Sequence, residues 1–277
     1  MSGSRIKTIV LATLALINAL FLMVIIIDAV ADARDEREAL ENACAILRAG
    51  GVTIYPDNVR AASAIRPMRT ARAIEVEEAI ARAVLGPVAM TDYGVIYVYE
   101  SPEWGTAEFA FAGEFEIRVN AGAVTNESGS LRTVQVLIRE MGLEAMEFSV
   151  YLGSDGDMVT AVVAHRDGSI FNCTIDFFFS DGSLQTVRGR YVAGIVPAED
   201  SAFTSPVGTA LLGFLAAVRD EEREYIVATR IFNVEAGYLH RVVGILGEGV
   251  LDPAWRITTD AGLYFVVDAT GEVRAGG

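Results

Sequence analysis

Lysine is almost absent from this chain: Lys7 is the single one, and every other cation is an arginine. Histidine is nearly as scarce, with His165 and His240 the two in 277 residues. Two histidines without neighbouring carboxylates or cysteines at ligand spacing do not make a zinc site, and no His-Glu-x-x-His occurs. A Gly-x-Ser-x-Gly elbow, a Ser-x-x-Lys motif and the Walker and Gly-x-Gly-x-x-Gly phosphate loops are missing too. Gly244-x-x-Gly247-x-Gly249 is glycine-rich, but it falls between predicted strands and reads as a loop. Asp155-Gly156-Asp157 lacks the rest of a calcium ligand ladder and reads as a turn. No catalytic, cofactor-binding or metal residue is singled out, and no cofactor is expected.

Cysteine is equally sparse. Cys44 falls in a predicted helix and Cys173 in a predicted strand, and buried free thiols are the expected state. Positive charge is also short. The net charge is −15, which becomes −17 once Arg5 and Lys7 at the N-terminus are set aside. Such a body is unsuited to nucleic acid or to an anionic membrane surface.

What is present begins at the N-terminus. Thr8 to Ile27 is an uncharged apolar run. As a helix it would span roughly 30 Å, about the hydrocarbon thickness of a bilayer. Arg5 and Lys7 precede it and Asp28, Asp32 and Asp35 follow, which predicts a cytoplasmic stretch 1–7, a single-pass anchor 8–27 and an extracellular body. Cleavage after Ala29-Val30-Ala31 is the alternative, and in either case the body is exported. Within the run, Asn18 is the strongly polar residue, and Ala12, Ala15 and Ala19 line the same side at small-residue spacing. That face is expected to dock on another transmembrane helix.

In the body, apolar periodicity predicts helices over 36–48, 75–85, 130–141 and 206–219. Alternating stretches predict strands at Tyr93–Tyr99 and Phe115–Val119, then a long meander from Met146 to Val192. Further strands are expected at Tyr225–Asn233, Tyr238–Val243, Trp255–Thr259 and Leu263–Asp268. Asp181-Gly182 between alternating runs is a hairpin signal. The expectation is an α+β protein with a transmembrane helix followed by two helix-plus-antiparallel-sheet domains. A turn-rich connector near 121–129 separates 32–122 from 123–277.

The C-terminal segment Pro253-Ala-Trp-Arg-Ile-Thr-Thr-Asp-Ala-Gly-Leu-Tyr-Phe-Val-Val-Asp-Ala-Thr-Gly-Glu-Val273 resembles the closing hairpin of PepSY-like domains and, more closely, of the YycI family of two-component-system regulatory proteins. Ser4-Arg5-Ile6-Lys7-Thr8-Ile9, running into the apolar stretch, is similar to the start of that family. Trp255, Ile257, Phe265 and Val267 are expected to form the core of the hairpin. The resemblance implies a non-enzymatic, membrane-anchored regulator that contacts a sensor histidine kinase controlling cell-wall metabolism, beside a YycH-like protein. A generic PepSY-like binding or inhibitory module is the runner-up, and a cell-wall hydrolase comes last.

Overall fold

The computed structural model describes residues 14, 17, 18, 21–23, 34–60, 65–110, 112–154, 156–166, 168–198, 206–220, 228–244, 248–268 and 270–276. Helix α1 is described over residues 34–49, and a 3-10 turn at Pro56–Asn58 follows. Then come β1 (Met68–Thr70), α2 (Ile74–Leu85), β2 (Ala89–Asp92), β3 (Ile96–Ser101), β4 (Gly105–Ala110) and β5 (Glu114–Val119). Helix α3 (Ser130–Glu140) leads into β6 (Glu144–Gly153), β7 (Gly156–His165), β8 (Gly168–Ser180), β9 (Ser183–Arg190) and β10 (Val196–Pro197). Helix α4 (Val207–Val218) precedes β11 (Ile231–Val242), β12 (Gly249–Thr259), β13 (Gly262–Val267) and β14 (Val273–Ala275).

The helices stand where the apolar spacing places them, because each buries one stripe. In α2 that stripe is Ile80, Ala81, Val84 and Leu85, and in α3 it is Val134, Leu137 and Ile138. The strands join into one 14-stranded mixed sheet among the described residues. β6 to β9 form an antiparallel meander, and β9 also pairs β5, from which β4, β3 and β2 continue antiparallel. β12 pairs β11 along one edge and shares its other edge between β1 and β13. β11 reaches β8 in parallel at Gly237↔Ser169 and Tyr238↔Ile170. At the β8–β9 hairpin both Asp181 and Gly182 have positive φ, 52° and 73°, as a tight two-residue turn requires.

This corrects the expected fold class. Instead of two helix-plus-antiparallel-sheet units in succession, the chain builds one mixed sheet whose strand neighbours are distant in sequence. β1 finds its partner in β12, and β5 finds β9. Helix α1 likewise packs with α4 rather than with α2. Cys44 and Leu47 of α1 share a core with Leu211, Phe214 and Leu215 of α4 and with Trp255, Ile257 and Tyr264 of the last hairpin. A second core places α2 and α3 over β3–β5 and β7–β9, around Phe109, Ile117, Phe177 and Met141. Periodicity reports which face of an element is apolar, not which other element covers it.

No transmembrane helix appears either: among the described residues no helix is long and apolar enough to cross a membrane. Of the expected anchor 8–27, residues 14, 17, 18 and 21–23 are described, and these are helical and exposed. The remainder lies outside the described residues.

Cys44 and Cys173 are free and buried, one in each core. Burial pushes the Cys173 thiol up to about 12, so it behaves as a small apolar side chain.

The β8–β11 contact has no room for a side chain on Gly237. A Cβ there would stand 2.5 Å from the Ser169 carbonyl oxygen and collide with the Phe171 ring. Gly237→Ala is therefore expected to lower unfolding stability by about 1–3 kcal/mol through overpacking. Urea denaturation of the variant beside Gly213→Ala, where a Cβ meets nothing within 4 Å, checks it.

Candidate functional site

The face of the sheet turned away from α1 and α4 carries a groove of about 360 Å³ between the end of β8 and the strands β11 to β14. Strand register assembles it. Gly237, Ala254 and Val267 lie in one cross-strand row, Glu235, Arg256, Phe265 and Arg274 in the next, and Leu239 faces Asp252. Leu239, Phe265 and Val267 line the groove with apolar surface, and Phe171 stacks on Phe265 with ring centroids 5.5 Å apart.

Charge surrounds that floor. Arg241 makes two hydrogen bonds to the Asp252 carboxylate, at 2.8 and 3.3 Å, and Arg274 bonds Glu272 at 2.7 Å. The hydrogen bonds they donate to these carboxylates raise both guanidinium pKa values above the ordinary one. Both arginines remain more than half exposed, so each retains donors directed at solvent. Beyond Phe265, Arg256 bridges Glu235 and Glu147, and its guanidinium lies 4.8 Å from the Phe171 ring centre. Arg60 also reaches Glu235, at 3.4 Å. An apolar trough between fixed guanidinium groups suits a hydrophobic segment carrying an acidic group.

His240 belongs to the opposite side of β11. Its Nε2 lies 3.2 Å from the Thr70 hydroxyl, beside a cavity of about 10 Å³ shared with Arg72 and Tyr191. Burial first, then the nearby Arg190 charge, lowers its pKa, while Asp252 opposes the shift. His165 is lowered for similar reasons, burial and then the Arg166 charge. His240 also borders the groove, with its Nε2 committed to Thr70. Among the described residues no three His, Cys, Asp or Glu side chains are arranged to hold a metal ion.

The hairpin residues singled out from sequence divide between the two faces. Trp255 and Ile257 are buried toward α4, opposite Val266 and Tyr264. Phe265 and Val267 point the other way and line the groove. Of the proposed membrane face, Asn18 is helical and exposed, and Ala12, Ala15 and Ala19 lie outside the described residues. Sequence reading missed Asn172, Arg241, Asp252 and Arg274. They come from four strands, so no local spacing marks them.

One buried polar cluster lies elsewhere and is structural. Glu77, fully buried in the first turn of α2, accepts from Arg72 at 2.6 and 3.1 Å and from the Tyr191 hydroxyl at 2.6 Å. Arg72 also donates to the Phe109 carbonyl and lies 4.2 Å from the Tyr97 ring centre. Burial and the hydrogen bond to Glu77 push the Tyr191 phenol far up.

Glu77→Ala strands the Arg72 guanidinium and the Tyr191 hydroxyl, and a loss of about 3–5 kcal/mol in urea unfolding is expected. Stability should also fall as pH drops below about 6.5, the ordinary histidine value. There the unfolded chain takes up protons at His165 and His240 while the native imidazoles, with lowered pKa values, stay neutral. His240→Gln should flatten the fall in the thermal midpoint between pH 7 and pH 5.

No family model matches this sequence, and no curated protein matches it. Among solved structures, an uncharacterized protein from Eubacterium rectale ATCC 33656 superposes with a TM-score of 0.50 at 8% sequence identity. The match covers 81% of this chain and 93% of that one, a likeness of fold alone.

Proposed function

We propose that this protein is an exported, non-enzymatic regulator that binds other proteins, and that its principal partner is the extracellular part of a sensor histidine kinase controlling cell-wall metabolism. The observation that carries the reading is the groove, because its floor is built from Phe265 and Val267 of the same C-terminal hairpin whose sequence resembles the YycI family. The apolar run 8–27, preceded by Arg5 and Lys7, supports export of the body to the kinase's side of the membrane. A YycH-like protein is the second partner implied by the resemblance.

Recognition would combine burial of an apolar segment of the kinase against Leu239, Phe265 and Val267 with pairing of its acidic groups to Arg241 and Arg274. On a body of net charge −17, these guanidinium groups give an acidic partner a local reason to choose this face. Such binding regulates only through differential affinity. A docked regulator shifts the kinase by as much as it prefers one signalling conformation over the other.

The test is photocrosslinking of the full chain in membranes, with a photoreactive residue replacing Thr270 at the groove mouth. Capture of a histidine kinase, reduced about tenfold by Arg274→Glu, is the expected result, a change equivalent to about 1.4 kcal/mol. Capture of an extracellular peptidase in its place, or of the kinase with equal efficiency in the Arg274→Glu chain, overturns it.

A further inference from the structure

β6 is an edge strand. It pairs with β7 from Glu144 to Gly153, and no strand among the described residues bonds its other side. Long exposed edges are normally blunted by charge, proline or a bulge, because their free N–H and C=O groups template pairing with another chain. The β6 bulge lies at its beginning, between Ala145 and Glu147. From Phe148 to Gly153 the strand carries no charge and no proline. Glu147, the one charged residue between Ala145 and Gly153, is already held by Arg256. Val150, Tyr151 and Leu152 are exposed, Leu152 by 80%. On the α3 side, Val150 and Leu152 extend the apolar line begun by Phe148, which packs against the larger core.

We propose that β6 pairs antiparallel with β6 of a second copy of this chain, with the two-fold axis at Ser149. The strand's own sequence argues for that occupant. In this register Phe148 faces Val150 of the second copy, Glu147 faces Tyr151, and Leu152 faces the bulged Met146. No glutamate opposes a glutamate, and both apolar rows fall on the same face beside the two α3 helices. Centring the axis on Phe148 instead sets Glu144 against Leu152. Centring it on Val150 shortens the overlap to 147–153. The Ser149 register keeps residues 145–153 paired and leaves Glu144 outside. A net charge of −15 per chain opposes association at long range, yet the pairing strand is locally neutral, and salt screens the remainder. No residue of β6 lines the groove, so the pairing stands or falls independently of the kinase reading.

Ser149→Cys in the full chain, oxidised in membranes, tests the register. At the axis the two Cα atoms of an antiparallel pair are about 4.5–5.5 Å apart, within disulfide range. The native thiols are buried and do not compete. The expected result is a disulfide-linked dimer for Ser149→Cys and none for Leu152→Cys, whose copies would lie about 20 Å apart. Combining Leu152→Cys with Met146→Cys should restore the link. Adding Val150→Lys to Ser149→Cys should cut dimer yield at least tenfold. A Ser149→Cys chain that stays monomeric under oxidation overturns the proposal. So does a Leu152→Cys chain that links as fast as Ser149→Cys.

Discussion

Two backbone pairs and one asparagine hold the sheet together. Where β11 meets β8 the ladder is two residues long, Gly237 with Ser169 and Tyr238 with Ile170. One step further the Asn172 side chain takes over, donating from Nδ2 to the His240 carbonyl and accepting the His240 N–H, both at 2.8 Å. An amide side chain thus stands in for a strand's peptide group, saturating His240's main-chain groups as the strands part. The contact needs Gly237 because the Ser169 carbonyl and the Phe171 ring occupy the space a Cβ would take. This seam is the strand pairing that joins β11–β14 to β2–β9, and the Phe171–Phe265 stack and the Arg256–Glu147 bridge cross beside it.

The groove is a consequence of that parting. Beyond Asn172 the edge of β8 no longer tracks β11, and Phe265, Arg241 and Arg274 stay partly exposed over the buried Leu239 and Val267. On the opposite face the same divergence closes over polar groups instead: Thr70, His240, Tyr191 and the Arg72–Glu77 pair. The interior polar cluster is specific rather than cheap. Burying Glu77 is tolerable because two guanidinium bonds and a phenol satisfy it, and removing any member exposes the desolvation cost of the others. It fixes the start of α2 against β3, β4 and the end of β9, while the seam fixes the other half.

Function, on the proposed reading, uses surfaces rather than a reactive centre. The groove and the β6 edge are separated in the sheet by β7 and β8, and Glu147 of β6 reaches Arg256 beside the groove. One is trimmed with guanidinium groups and the other is nearly uncharged, and they call for different partners. An acidic body that places arginines beside one apolar trough and keeps a neutral strand at one edge has two faces open to association. His240 and both cysteines are turned inward, where burial lowers the imidazole pKa and raises both thiol pKa values.

The helices were legible in the sequence, as were most strand positions, because amphipathic spacing is a local property of a chain that buries one face. α2 and α3 begin and end within a residue or two of their apolar stripes, and the Asp181-Gly182 turn follows from two residues that accept positive φ. Some strands escaped: β1, β10 and β14 are two or three residues long and carry no alternation to read, β2 and the six-residue β4 were not expected, and β11 was expected as two strands. The expected sequence of two helix-plus-sheet units failed for another reason. Pairing β1 with β12, β5 with β9 and α1 with α4 joins residues far apart in sequence, and no local pattern encodes a partner. The hairpin residues show the division most clearly. Sequence alone determined that Trp255, Ile257, Phe265 and Val267 alternate on strands and that the body is acidic with inward-suited thiols. Tertiary structure alone decided that two of the four enter a core while the other two floor a groove, because a strand's faces become inside or outside only when distant elements cover one of them.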